Sequence, residues 1–388
     1  MKSRREFLGQ IAALGALPQS LAWAANDWGQ PAENLLVLVY LKGGNDAFNT
    51  FVPLDDKAYR TLRPTLAIPR DQLIPFSATH GFNIALKPLL PAWESREIAL
   101  IQGIGQEDVT NQHYRDLETQ FTGAAPNEYL AQGWITRALS GGSSPESLDA
   151  LAFGDLDIRV ADPFGPFRGE QLKVVNIVHP AEWLQARRIV ATSHVATPPS
   201  KALAARWEAP AAPLQTQFPA NEFGDALRST AELAKIGRAP RVVHITLNAH
   251  SGDHHDAFDT HWDQARYHGA ALTKLADGLA AFRTAMIEAG LWQRTLVATY
   301  DEFGRSPREN ERAGTHHGWA STHMVLGGRV KGGLIGQAPS LSAVHSISGP
   351  APVIDTRALY STVIEKWWQR RAAGVFAKRF ELLDLLRA

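Results

Sequence analysis

The stretch LLVLVYLKGGNDAFNT, residues 35–50, joins an apolar run to a polar loop that contains two glycines. The run is short, rich in Val and Leu, and does not alternate with polar residues, as is typical of a strand covered on both faces. Such strands form parallel sheets whose carboxyl ends share one edge, where ligands bind. The stretch therefore predicts an α/β protein whose functional loops lie at one edge of the sheet.

Four further apolar runs predict strands of the same kind: EIALIQGI (97–104), VVNIV (174–178), RVVHITL (241–247) and TLVATY (295–300). Helical periodicity predicts long helices over 256–290 and 356–373. This alternation predicts an α/β fold with a mostly parallel central sheet and helices on both faces. We expect one domain over 25–388, with an irregular Pro- and Ala-rich excursion at about 196–220.

The composition excludes several classes of function. The 388 residues carry no formal net charge, which argues against a nucleic-acid-binding surface. There are no cysteines, so disulfides, thiolate zinc ligands and a cysteine nucleophile are excluded.

The N-terminus predicts an export signal. Arg4 and Arg5 precede a mildly apolar run that ends in Ala22-Trp23-Ala24. This order is typical of a twin-arginine signal peptide over 1–24, which implies a periplasmic or extracellular location. The alternative is the basic start of a cytosolic helix. The run is too short for a membrane span, so we expect no stable membrane insertion after cleavage.

Polar loops follow three of the predicted strands: KGGND (42–46), NAHSGDHHD (248–256) and DEFGRSP (301–307). If these strands are parallel, Asp46, His250 and Glu302 converge at one edge of the sheet. Two of the loops also have simpler interpretations. Asn45 or Asp46 could cap the following helix, and Glu302 could pair with Arg305.

Two clusters of histidine predict a metal site. Residues 246–269 contain five histidines and four aspartates, and GTHHGWASTH (314–323) adds His316, His317 and His323. Imidazoles with carboxylates suit zinc, manganese or iron. We predict a divalent metal, with zinc favoured. From the first cluster we expect His250 as a ligand, followed by His254, with His255 as the alternative to His254.

Other members of the first cluster fit structural roles. His254, His261 and His268 recur every seven residues and would share one helix face. We interpret His261 and His268 as packed structural histidines. The nearby aspartates are interpreted as the first turn and solvated face of that helix: Asp256, Asp259 and Asp263.

Several blocks together resemble the family catalogued as domain of unknown function 1501: LVYLKGGNDAFNTFVPLDD, RPTLAI, GFNIALKPLLP, DEFGRSPREN and HHGWASTHMVLGGRVKGG. Its members are exported proteins similar in fold to the alkaline phosphatase and sulfatase superfamily. The resemblance implies that Asp46 binds metal and that later loops supply Asp and His ligands for a two-metal centre. Such a centre clamps the attacking and leaving oxygens of a phosphate or sulfate ester.

The chain departs from the family pattern at three motifs. Trp-Asp-Thr-His is replaced by residues 247–250, LNAH, and Thr-Asp-His-Gly by residues 315–318, THHG. Arg-Ser-His-Phe is replaced by residues 111–114, NQHY, so the family serine is Gln112, which cannot be a nucleophile. Thr110 is a possible substitute. Two carboxylates are lost and one histidine is gained, which leaves a set of ligands rich in neutral groups.

Two functions are compatible with these residues. The first is an exported metal-dependent hydrolase of a phosphate or sulfate ester, on a small-molecule or glycan substrate. Its predicted ligands are Asp46, His250, His254, Glu302, His316 and His317. Its predicted catalytic residues are Thr110, His113 and Arg305, of which Arg305 would neutralise the ester charge. The second is a non-catalytic periplasmic binding or assembly protein that retains the fold.

Overall fold

The computed structural model describes residues 34–140, 148–154, 165–186, 213–248, 257–341 and 346–387. The predicted signal peptide lies outside these residues, as do His250, His254 and most of the predicted excursion. Residues from Asn34 onward form one compact unit. Within the described part of the chain, no helix is long and apolar enough to cross a membrane.

A large central sheet organises the fold. Its strands are β1 (Leu35–Leu41), β5 (Ile98–Gly105), β6 (Ala150–Phe153), β7 (Val174–Ile177), β8 (Val242–Leu247), β9 (Thr295–Tyr300), β12 (Ser321–Gly327), β13 (Gly333–Gly336) and β14 (Ile354–Asp355). Their order is β13-β5-β12-β9-β1-β8-β6-β7, and β14 pairs with β5. Only β12 among these strands runs antiparallel to its neighbours. The predicted mostly parallel sheet is confirmed, and each of the five apolar runs is a strand.

Strand β1 lies at the centre of this sheet because it pairs in parallel with β8 on one side and β9 on the other. All seven of its residues are buried. Val37 and Val39 pack into one apolar core, whereas Leu36 and Leu38 pack into a second core on the opposite face. Burial on both faces is the reason why the run shows no polar alternation.

Helices cover both faces of the sheet, as predicted. They are α1 (Ala47–Thr50), α2 (Lys57–Leu62), α3 (Leu90–Glu94), α4 (His113–Thr122), α5 (Trp134–Leu139), α6 (Pro180–Ala186), α7 (Glu222–Lys235), α8 (Gln264–Glu288) and α9 (Thr356–Thr362). Leu227 of α7 and Leu272 of α8 pack into the core that contains Val37. Leu117 of α4 and Leu359 of α9 pack into the core on the opposite face.

Two smaller sheets complete the described structure. Strands β2 (Phe51–Pro53), β3 (Leu73–Pro75) and β4 (His80–Asn83) form an antiparallel sheet in the order β2-β4-β3. Strands β10 (Gly304–Glu309) and β11 (Thr315–Gly318) form an antiparallel hairpin directly after β9. Short 3-10 helices span Arg70–Gln72, Ile84–Leu89, Gly165–Phe167 and Trp292–Arg294, and a π-helical turn spans Val363–Trp367.

Both long helices predicted from periodicity extend beyond the helices in the structure. The described residues 257–263 are not helical, and α8 begins at Gln264 because Asp263 adopts a φ of +44°. This helix ends at Glu288, near the predicted stop at Gly290. The helix predicted to reach residue 373 ends after the π-helical turn, and Gln369 has a φ of +54°. A non-glycine residue with positive φ cannot continue a right-handed helix.

Candidate metal centre

The loops that follow β1, β5 and β9 meet at the carboxyl edge of the sheet, as parallel strands require. The backbone N–H of Gly43, after β1, donates to Glu302 Oε1 over 3.1 Å, and Glu302 follows β9. Similarly, the N–H of Asn45 donates to Asp301 Oδ2 over 3.2 Å. The segment that precedes α8 joins this edge, because Phe258 N–H donates to the carbonyl of Lys42.

Two glycines permit this close approach. Gly43 and Gly44 have φ values of +108° and +87°, which L side chains rarely adopt. A Cβ on Gly43 would lie 2.3 Å from the backbone nitrogen of Asp259, and one on Gly44 would lie 2.8 Å from the Phe303 ring. Gly43 is therefore required for the segment containing Asp259 to lie against the loop after β1, and Gly44 is required for the close approach of Phe303.

Asp259 is the centre of a cluster of imidazoles. Its Oδ1 atom lies 3.0 Å from His261 Nε2 and 3.2 Å from His317 Nε2. Its Oδ2 atom lies 3.6 Å from His113 Nε2. The side chain of Asp259 is 21% exposed, so the cluster is accessible from solvent. We call Asp259, His113, His261 and His317 the Asp259 cluster.

Protein groups behind the cluster orient two of its imidazoles. His113 Nδ1 lies 2.7 Å from Glu302 Oε1, and His317 Nδ1 lies 2.7 Å from the carbonyl oxygen of Asn111. The Glu302 carboxylate and the Asn111 carbonyl each require an N–H at Nδ1 of the imidazole that they contact. The Nε2 atom of each ring, when neutral, therefore carries a lone pair that faces Asp259. A carboxylate or carbonyl behind a histidine is the usual support of a metal ligand. Phe303 stacks on the His317 ring at 4.2 Å and restricts its rotation.

The electrostatics of the cluster favour a positive charge among its members. Burial opposes the charged form of His113, but hydrogen bonds to Asp259 and Glu302 outweigh burial and raise its pKa to about 9. Burial opposes the ionisation of Asp259, but the three histidines and Arg305 hold its pKa well below the usual range. Burial raises the pKa of Glu302, which lies wholly inside the protein. A cation bound between these groups would take the place of the extra proton.

The donor atoms fit a divalent transition metal. Ligand atoms of His113, Asp259 and His317 all lie within 4.8 Å of one another. His261 Nε2 lies 3.0 Å from His317 Nε2, and two lone pairs at this distance repel unless a proton or a metal lies between them. Two imidazole nitrogens with one carboxylate oxygen, and His261 beside them, suit zinc, manganese or iron.

The structure distributes the residues predicted from the sequence among different environments. His113 and His317 are in the Asp259 cluster, and Glu302 supports it from behind. His316 is exposed, because neighbouring residues of a strand such as β11 point to opposite faces. His250 and His254 lie outside the described residues.

Asp46 does not lie in the Asp259 cluster. It accepts hydrogen bonds from both terminal nitrogens of Arg63, at 2.5 and 3.0 Å, and both side chains are wholly buried. It also caps helix α1 through Phe48 N–H, at 3.0 Å. The capping interpretation of GGND is therefore confirmed, and the role of Asp46 as a metal ligand stays a prediction.

Thr110 and Arg305 have protein partners. Thr110 is an exposed residue, and its hydroxyl donates to Asp116 Oδ1 over 2.8 Å. Arg305 is buried and donates to Asp259 over 2.8 Å, to both oxygens of Thr315 and to the carbonyl of Gly43. Its ion pair is therefore with Asp259. Arg305 holds this carboxylate in place from inside the protein.

Sequence reasoning missed two members of the cluster. The interpretation of Asp259 as part of a solvated helix face is wrong, because Asp259 precedes α8 and contacts three histidines. The interpretation of His261 as a residue of a shared helix face is wrong for the same reason. His268 does lie in α8, where it is wholly buried and its Nε2 lies 3.0 Å from Asn45 Oδ1. The seven-residue spacing concealed the fact that the helix begins between His261 and His268.

The fold and the cluster together describe an α/β protein with a carboxylate-histidine site at the carboxyl edge of a mostly parallel sheet. Residues 218–367 match the model of the family described as "Protein of unknown function (DUF1501)". This match confirms the resemblance predicted from the sequence. The matched range contains Asp259, His261, Glu302 and His317, whereas His113 lies outside it. Among curated proteins, no match to the sequence was found.

Solved structures with a similar arrangement of elements share little sequence with this chain. A lipoteichoic acid synthase from Listeria monocytogenes is 13% identical, with 81% of this chain and 72% of that chain covered and a TM-score of 0.37. A phosphonate monoester hydrolase from Silicibacter pomeroyi is 12% identical, with 88% and 74% covered and a TM-score of 0.41. A protein of the alkaline phosphatase superfamily from Vibrio parahaemolyticus is 8% identical, with 87% and 67% covered and a TM-score of 0.42. Similarities at this level carry no conclusion about chemistry.

Proposed function

We propose that this chain is a metal-dependent hydrolase of a phosphate or sulfate ester. The observation that carries the proposal is the convergence of three imidazole Nε2 atoms on the carboxylate of Asp259, with two of the rings oriented by Glu302 and Asn111. In this proposal His113, Asp259, His261 and His317 bind the metal. The metal would act as a Lewis acid on the ester oxygen and offset the developing negative charge.

The protein groups around the cluster have defined tasks in this proposal. Glu302 accepts a hydrogen bond from the Nδ1–H of His113 and keeps the Nε2 lone pair directed at the centre. Arg305 holds Asp259 and adds a fixed positive charge behind it, which favours an anionic ester. The segment over Thr110 and Asn111 lies beside the cluster, because the carbonyl of Asn111 contacts His317.

The attacking oxygen comes from Thr110 or from water. Thr110 is an exposed residue whose hydroxyl already donates to Asp116, and burial raises the pKa of Asp116. A carboxylate with a raised pKa is a suitable acceptor for the hydroxyl proton. Replacing Thr110 by valine distinguishes the two sources. Loss of turnover with unchanged metal content would identify Thr110, and retained turnover would identify water.

The central test is the metal content and activity of purified protein. We expect about one equivalent of zinc, manganese or iron, and hydrolysis of an aryl phosphate or aryl sulfate. His317→Ala should lose both. His316→Ala is the matched control and should retain both, because the His316 ring is exposed and approaches the cluster only at the His261 ring, with centroids 6.3 Å apart. Equal metal content in the two variants would refute the assignment of the ligands.

One observation favours the alternative, a non-catalytic binding protein. Gln112 occupies the N-cap position of α4, where the family pattern has a serine, and its side chain cannot attack an ester. A metal-replete protein that hydrolyses neither aryl ester would support this alternative over the hydrolase.

We further propose export by the twin-arginine route, supported by the order of Arg4, Arg5, the apolar run and Ala24. Replacing both arginines by lysine should retain the full-length precursor in the cytoplasm. The wild-type chain should instead appear in the periplasmic fraction with the signal removed. Cytoplasmic wild-type protein would refute this proposal.

A further inference from the structure

A cavity of about 430 Å³ lies between the small sheet β2-β4-β3 and strands β5 and β12 of the central sheet. Phe48, Phe51 and Leu341 contribute to its apolar lining. None of the residues of the Asp259 cluster lines it. Its volume is within the range of binding sites for small molecules.

Two buried polar side chains face this cavity without an internal partner. Gln102 of β5 and Thr322 of β12 are register neighbours on one face of the sheet, and they are only 4% and 3% exposed. Among the described residues, neither the Gln102 amide nor the Thr322 hydroxyl makes a hydrogen bond. Their polar atoms are open to the cavity, so both side chains are available to hydrogen-bond a ligand there.

The charges of the described lining residues disfavour an anionic ligand, although Asp55 is paired with Arg70 at 2.9 Å. The charged groups among its described lining residues are the carboxylates of Asp55 and Asp56, and no Lys or Arg is present there. Burial lowers the pKa of His80, so this residue is neutral at pH 7. Its Nδ1 atom contacts the hydroxyl of Thr79 at 2.9 Å. The cavity thus offers neutral donors and acceptors together with acidic groups.

We propose that this cavity binds an uncharged, hydroxyl-rich ring, such as a neutral monosaccharide unit. The Gln102 amide and the Thr322 hydroxyl each donate and accept, which matches adjacent hydroxyl groups on such a ring. Phe48, Phe51 and Leu341 pack against the C–H groups of the ring. The inference does not depend on the Asp259 cluster or on the proposed hydrolase activity.

The test is saturation-transfer NMR on the full-length protein after removal of the signal. The probes are D-glucose, D-galactose, N-acetyl-D-glucosamine and myo-inositol, with D-glucose 6-phosphate as the anionic comparator and cyclohexanol as the apolar one. We expect at least one neutral probe to bind. Thr322→Val and Gln102→Met should each weaken its binding at least tenfold without lowering the melting temperature, because neither side chain has a partner to lose.

Two control variants separate sugar binding in the cavity from a loss of stability and from metal binding. Thr299→Val changes a buried threonine of β9 whose hydroxyl accepts from Met324 N–H at 2.9 Å, so it should lower the melting temperature and leave sugar binding unchanged. His317→Ala should lose metal and retain sugar binding. The proposal is overturned if no neutral probe binds, if only glucose 6-phosphate or cyclohexanol binds, or if both cavity variants bind as the wild type does.

Discussion

Replacing Asp46 by asparagine distinguishes a carboxylate that stabilises the fold from one that binds metal. Asp46 and Arg63 are both wholly buried, and Asp46 also accepts from Phe48 N–H and from the side-chain amide of Gln264. Burial raises the pKa of Asp46, but the adjacent Arg63 outweighs burial and lowers it. The carboxylate is therefore ionised at neutral pH, and the substitution removes a real charge.

The expected loss of stability follows from what Arg63 retains. After the change its guanidinium keeps only neutral acceptors, the carbonyls of Ser306 and Pro307 and the amide oxygen of Asn49. Removing one partner of a buried ion pair costs about 3–5 kcal/mol. A domain is typically stable by about 5–15 kcal/mol, so the variant should fold with a much reduced free energy of unfolding.

Urea unfolding at pH 7 measures this loss by linear extrapolation. The matched control is Asp55→Asn, the same substitution at an exposed pair with Arg70, where the loss should be under about 1 kcal/mol. Folded Asp46→Asn should retain the metal content of the wild type. If Asp46→Asn unfolds like the wild type but has lost its metal, the ion-pair reasoning is wrong and Asp46 is a ligand.

Three further predictions concern the interior and the support of the site. Burial lowers the pKa of His244 to about 4, below the unfolded value of about 6.5, so the unfolded state binds the proton first as the pH falls. The free energy of unfolding therefore decreases between these pH values by about 1.4 kcal/mol per pH unit. Urea unfolding at pH 7 and pH 5 should show a smaller decrease for His244→Gln than for the wild type, and an equal decrease would contradict this cause. Gly44→Ala should destabilise the protein by about 1–3 kcal/mol and weaken metal binding. The control Gly237→Ala should leave metal binding unchanged, because Gly237 also has a positive φ but has open space around it. Equal zinc affinities of the two variants in a titration would refute the steric argument. Glu302→Gln should weaken zinc binding about 10–100-fold in the same titration, because an amide supports His113 less well than a carboxylate does. An unchanged zinc affinity would exclude this supporting role.

The fold was predictable because its strands are buried on both faces. The apolar runs marked β1, β5, β7, β8 and β9 directly, and their parallel pairing placed the loops after β1 and β9 together. Strand β12 was not predicted, and its antiparallel insertion between β5 and β9 depends on long-range pairing that no local pattern reports.

The candidate site was only partly predictable. His316 and His317 are adjacent in sequence, and only the alternation of strand β11 places one outside and the other in the Asp259 cluster. The partner of Asp46 is Arg63, on a different element, and no periodicity links the two. Asp259 and His261 were assigned to a helix because spacing alone does not locate a helix start set by a residue with positive φ.

The central position of β1 has a consequence for how this chain can be divided. The range that matches the family model, 218–367, contains β8 and β9 but not the strand between them. A fragment cut to this range would expose a full row of unpaired backbone groups on each of two strands, which is a template for aggregation. The matched range is therefore a unit of sequence comparison and not a unit of folding, and fragments intended for expression should begin before Leu35.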